Sequence, residues 1–74
     1  ESQEVENMRI TLEAARINVG LNQKDAAKAL EISRDSLRNY EQYKKSPKID
    51  LAYKMASLYK CEITDLIFLK SNIA

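Results

Sequence analysis

The stretch Lys28–Gln42, KALEISRDSLRNYEQ, decides how this chain is read. Apolar residues at helical spacing run in through Ala29 and Leu30 and stop at Glu31-Ile32-Ser33. A second helical run starts at once, and Ser33 is suited to cap it with its hydroxyl. That run carries Arg34, Asp35, Arg38, Asn39 and Gln42 against only Leu37 and Tyr40. Two short helices joined by so tight a turn cross steeply, at about 90–120°. Ala27 leaves room for the crossing, Ile32 plugs the turn into the core, and the second helix is made to protrude.

On a helical wheel, Leu37 and Tyr40 lie within about 60° of each other and face inward. Arg34, Asp35, Arg38, Asn39 and Gln42 cover an opposite arc of about 140°. A face that merely solvates is more usually Lys and Glu. Forked groups on one stripe match base edges instead: Arg fits guanine, and Asn and Gln fit adenine. Glu41 falls within about 40° of Leu37, and Arg16 is similarly close to Leu12 in an earlier helix. Opposite charges bordering two apolar faces predict a semi-buried ion pair, since either one alone is costly to desolvate. Separate snorkelling to solvent is the alternative.

Working outward, Thr11 caps a helix over 12–19 with Leu12, Ala15 and Val19 inward and Gly20 as its stop. Asn22 caps a second helix, 23–30, with Ala26, Ala27 and Leu30 inward. The third spans about 34–42, and Tyr43–Lys48, containing Ser46-Pro47, reads as a basic loop. A fourth helix over 49–60 buries Leu51, Ala52, Met55, Ala56 and Tyr59. A short fifth is expected over 63–69. The fold class is all-α, a compact five-helix bundle. Residues 1–10 read as an N-terminal extension or tag, with Met8 a candidate natural start, 11–70 as the domain and 71–74 as a tail.

Seventy-four residues with 45% hydrophobic content, one Gly and one Pro fit one small globular domain. The chain has no His and a single cysteine, Cys61. It therefore lacks the commonest general base and cannot form an internal disulfide, and neither an enzyme nor a cofactor or metal site is expected. No apolar run approaches the roughly 18 residues of a membrane span, and the chain reads as cytoplasmic. The net charge is +1, yet Glu1, Glu4 and Glu6 stand in residues 1–7 without a base, which leaves +4 on the rest. Arg34, Arg38, Lys44, Lys45 and Lys48 oppose only Asp35 and Glu41 between positions 34 and 48.

Together, GLNQKDAAKALEISRDSLRNYE and SPKIDLAYKMASLYKCEITDL resemble the Cro and phage-repressor type of helix-turn-helix DNA-binding domain. The match covers about residues 11–69. It rests on Gln23, Ala27, Ile32, Leu37 and Tyr40 in order, with Glu41 and Pro47 following. The resemblance implies double-stranded DNA as partner and transcriptional control, most often repression, by a homodimer formed in solution or only on the operator. It places Arg34, Asp35, Arg38 and Asn39 at base-reading positions. Asn22, Gln23, Gln42, Lys44 and Lys45 match phosphate-contacting positions, with Gln23 also bracing the recognition helix. Arg16 and Glu41 match a structural ion pair. Glu31 and Tyr43 stand where the family usually has Gly, at sites that commonly need a positive φ.

On the expected fifth helix, Phe68 and Leu69 point away from the Ile63–Ile67 side and are assigned to the dimer contact. In the alternatives, the chain end covers them, or they join the core. A rival reading of the whole chain is a protein-binding module, an antitoxin or adaptor on the same fold. Near-zero net charge and Glu31 favour it, while the Arg/Asn/Gln stripe and the basic loop favour DNA.

Overall fold

The computed structural model describes residues 9–68. Four helices form: α1 (Leu12–Asn18), α2 (Gln23–Leu30), α3 (Arg34–Glu41) and α4 (Ile49–Leu58). Two-residue strands flank them, β1 (Ile10–Thr11) and β2 (Leu66–Ile67), and a single 3₁₀ turn, Ile63–Asp65, precedes β2. Each of the first three helices starts on a side-chain oxygen that satisfies an orphan amide. Thr11 accepts from the Ala14 N–H at 3.1 Å, Asn22 from Asp25 at 2.7 Å and Ser33 from Ser36 at 3.0 Å. The fourth starts at Lys48 with no side-chain cap.

All four helices end in the same way. Among the described residues, those at positive φ are Gly20, Glu31, Tyr43 and Lys60, so three of the four are not glycine. After each, the next amide reaches back five residues: Leu21 to the Arg16 carbonyl, Ile32 to Ala27, Lys44 to Asn39 and Cys61 to Ala56. These bonds satisfy carbonyls that the helix leaves unpaired. Glycine adopts this backbone freely, whereas an L side chain there costs roughly 1–2 kcal/mol.

The core draws one fully buried side chain from each layer: Leu12 of α1, Leu37 of α3, Met55 of α4 and Leu66 of β2. Ala26 and Ala27 of α2 are also buried, and their small size lets α3 cross close by. Complete burial of a side chain like Leu37 stabilises the fold by about 1.5–3 kcal/mol. Val19 and Leu51, expected inward, are half-buried against this cluster.

The expected five-helix bundle is corrected to four helices among the described residues. Over 63–68 the chain instead makes the 3₁₀ turn and then extends at Leu66, with φ −92° and ψ 140°. Asp65 accepts from the Glu62 N–H at 3.4 Å and closes that turn. β2 then pairs in parallel with β1, Ile10 opposite Leu66 and Thr11 opposite Ile67. So short a helix is marginal in water, whereas the ladder gives partners to backbone groups at Ile10 and Thr11 that need them. Leu66 and Ile67 are both buried. The wheel that assigned Phe68 and Leu69 to a dimer contact thus has no helix beneath it. Phe68 is half-buried and packs on the core, and Leu69 lies outside the described residues.

Candidate nucleic-acid interface

The helix α3 has two faces of opposite character. Leu37 is sealed in the core, and Glu41 is buried beside it. Arg34, Asp35, Arg38 and Gln42 are exposed, and Asn39 is half-exposed. Ser33 fixes where this face begins, and the αL turn at Tyr43 fixes where it stops.

The buried face is held by a charged network. Arg16 of α1 donates through Nε to Glu41 Oε2 at 2.7 Å and through Nη2 to Oε1 at 3.4 Å. Its remaining Nη1 donates to the Leu21 carbonyl at 2.8 Å. Gln23, the first residue of α2, donates to Glu41 Oε1 at 2.9 Å. One carboxylate therefore joins the start of the helix-turn-helix unit, α1 and the end of α3. Such a network orients α3 because each forked group accepts only one approach direction. The Tyr59 hydroxyl is buried near this carboxylate and has no hydrogen-bond partner among the described residues. Burial first, and the Glu41 charge second, push its pKa up to about 12, with Arg16 opposing.

The exposed face carries a second arginine–carboxylate pair. Arg38 Nη2 donates to Asp35 Oδ1 at 2.9 Å, one turn apart. Beyond α3, the lysines Lys44 and Lys45 are exposed, and Lys45 Nζ lies 5.6 Å from the centroid of the Tyr40 ring. Tyr43, half-buried, turns its hydroxyl inward to donate to the Ile67 carbonyl at 2.9 Å. Asn22 is exposed at the α2 N-terminus, its side-chain oxygen already used on the Asp25 amide. The structure thus brings Arg34, Asp35, Arg38, Asn39 and Gln42 onto one surface, followed directly by the loop lysines. Gln23 is turned partly inward, toward Glu41.

With helices α2 and α3 joined by a three-residue turn at Glu31–Ser33, the comparisons with known proteins fall into place. The helix-turn-helix family of the Cro/C1 type matches residues 12–66. The chain belongs to this family. It is also 35% identical over 63 residues to the HTH-type transcriptional regulator ImmR of Bacillus subtilis (strain 168), a match covering 85% of this chain. The chain spans about half the length of that curated relative, 49%.

Within this helix-turn-helix domain a cleft of about 460 Å³ lies behind α3. Leu30, Ile32, Tyr40 and Leu51 line it with Lys45 and Lys54. Glu31, in the αL turn of the helix-turn-helix, points to solvent and reaches Lys54 at 4.0 Å. An exposed pair at that distance contributes at most about 0–1 kcal/mol. Burial, and then the Asp65 and Glu62 carboxylates, push the pKa of the Cys61 thiol above its ordinary value. No helix among the described residues is long and apolar enough to cross a membrane.

Two features escaped the sequence reading. Lys60 adopts αL without having been singled out, and the Tyr43 hydroxyl is tied to β2. A signal for the second was available. Tyr43 stood at a position that prefers glycine, and a strained residue persists only when its surroundings over-determine it.

Proposed function

We propose that this domain binds duplex DNA as part of a transcriptional regulator, with α3 in the major groove. The observation that carries this reading is the division of α3: an outer stripe of Arg34, Asp35, Arg38 and Asn39, backed by a buried face locked through Glu41. The stripe reads bases. Arg34 and Arg38 have the fork for guanine O6 and N7, and Asn39 the amide for adenine. Asp35 holds Arg38 in place before DNA arrives, which lowers the entropy that the arginine loses on docking. Asn22, Gln23, Gln42, Lys44 and Lys45 hold phosphates and set register without reading sequence.

Occupying an operator blocks it without any further surface, so repression is the simplest outcome. A homodimer belongs to the same proposal. Its two recognition helices would lie about 34 Å apart on a two-fold symmetric site. Selection of bound sites from random duplex DNA tests all of this together. Expected are sites with a guanine that disappears in Arg38→Ala, repeated as a palindrome. Sites without symmetry remove the dimer; no enriched site at all removes sequence-specific binding.

A second reading, a protein-binding module, draws on one observation. Ile49 and Tyr53, one turn apart on α4, are 62% and 60% exposed. Affinity for random duplex DNA that falls steeply with salt supports the DNA reading, and salt-insensitive or absent binding supports this one.

A further inference from the structure

The end of α3 carries a tie that base reading does not use. Tyr43 sits at φ 62°, a backbone that suits glycine. Its hydroxyl donates to the Ile67 carbonyl, 24 positions away, at 2.9 Å. Ile67 lies in β2 opposite Thr11, the residue that caps α1. The amide of the very next residue, Lys44, closes α3 on the Asn39 carbonyl at 2.9 Å. From there the chain runs directly into the exposed lysines of the loop. A single side chain therefore spans from the last strand to the first residue of the basic loop.

We propose that Tyr43 is a positioning residue that couples the seating of β2 to the placement of Lys44 and Lys45 on DNA. The role of the lysines rests on the DNA reading above; the tie itself does not. If β2 shifts, the Ile67 carbonyl withdraws and the hydroxyl is left in a half-buried site without its acceptor. Tyr43 is then held at positive φ only by backbone capping bonds of the kind also made at Glu31 and Lys60, and the turn is loosened. Relaxation of that φ rotates the peptide between residues 43 and 44 and opens the Lys44–Asn39 bond, which moves both lysines relative to α3. The helix itself stays in place, because Glu41 is anchored separately by Arg16 and Gln23. Coupling is reciprocal: DNA that holds the lysines also holds β2. Glycine at 43 would adopt the same turn unaided and carry no hydroxyl, so the departure from glycine is what creates the link. Any partner or segment that draws β2 off β1 would weaken the phosphate contacts and leave the base-reading stripe seated.

Tyr43→Phe keeps the ring and removes only the hydroxyl, with Tyr53→Phe, the same change at an exposed tyrosine, as control. In the free protein, Tyr43→Phe should speed amide hydrogen exchange at Lys44 and in β2 together, by about threefold or more. Its affinity for a random-sequence duplex should fall by a similar factor, about three- to tenfold. In the parent, adding that duplex should slow exchange in β1 and β2. In Tyr43→Phe this protection should be lost while the melting curve still reports a folded domain. Tyr53→Phe should behave as the parent throughout. Equal DNA-induced protection of β2 in the parent and Tyr43→Phe overturns the coupling. If the parent has no affinity for random duplex, the DNA reading fails, and the free-protein exchange decides the tie alone. Unchanged exchange at Lys44 then overturns it.

Discussion

Two arginine–carboxylate pairs sit on opposite faces of α3, with nearly the same bond length and opposite surroundings. Arg16–Glu41 closes at 2.7 Å with side chains 8% and 4% exposed. Arg38–Asp35 closes at 2.9 Å with side chains 51% and 79% exposed. The distance says little about what each pair does. In the buried one, water cannot replace a lost partner, so the pair specifies how α3 is seated. In the exposed one, water competes for both groups, so the pair contributes little to folding and can open toward a ligand. One helix thus uses one chemistry for rigidity on its inner face and for readiness on its outer face.

The largest test of this contrast breaks the buried pair. Glu41→Leu leaves the Arg16 charge enclosed and should cost about 3–5 kcal/mol, measured by urea denaturation. Arg16→Met should cost a comparable amount, and the double variant much less than their sum. Additive losses would mean that the two side chains act separately despite their bond.

The outer face should respond in binding instead. Arg38→Ala is expected to weaken cognate DNA binding by about 1–3 kcal/mol and to relax one base position. Lys45→Ala should weaken all sequences alike and lower the salt slope by about one. Identical behaviour of the two variants across sequences would remove the proposed division between reading and anchoring.

Alkaline titration probes the inner face without breaking it. Tyr59 in the unfolded chain ionises near its ordinary value of 10, whereas the folded protein keeps its proton to about 12. Between those values the unfolded state binds fewer protons, so stability should fall as pH rises through the window, by up to about 3 kcal/mol. Tyr59→Phe should fall less steeply over the same range, read from thermal melts at pH 9 to 12. An unchanged slope would place the alkaline sensitivity elsewhere.

The weakest pair sharpens the contrast. Glu31→Gly deletes the 4.0 Å contact to Lys54 and relieves the αL turn, for a net change near zero or a gain of up to about 1 kcal/mol. A clear drop in melting temperature would show that Glu31 holds the turn. Smallest of all, Asp35→Ala should change folding stability by about 0–1 kcal/mol while loosening discrimination at the base assigned to Arg38 in the proposed complex.

Much of this was legible because it is local. Thr11, Asn22 and Ser33 announce helix starts within three residues of the amides they bond. Arg16 and Glu41 could be brought together because each lies at the margin of an apolar stripe, and two stripes facing one core leave few places for a charge. The segment 63–69 misled for the opposite reason. Ile63, Leu66 and Ile67 recur at helical spacing, but their conformation is decided by Ile10 and Thr11, far away in the chain. The Tyr43 tie depends on that same strand, so it was hidden as long as the strand was read as a helix. The proposed base- and phosphate-contacting roles come from residue chemistry and resemblance; the fold exposes Arg34, Asp35, Arg38 and Gln42 on α3 and turns Gln23 toward Glu41.

The short ladder at the base of the domain also sets a direction of travel. Because β1 and β2 run parallel, the chain arriving at Ile10 and the chain departing from Ile67 point the same way. An antiparallel pair would return the polypeptide to the side from which it came. Here entry and exit lie side by side at the ladder, and the chain leaves it in the direction in which it arrived. A tension applied along the polypeptide would therefore shear the two strands past each other, loading the ladder as a whole rather than peeling it open from one end.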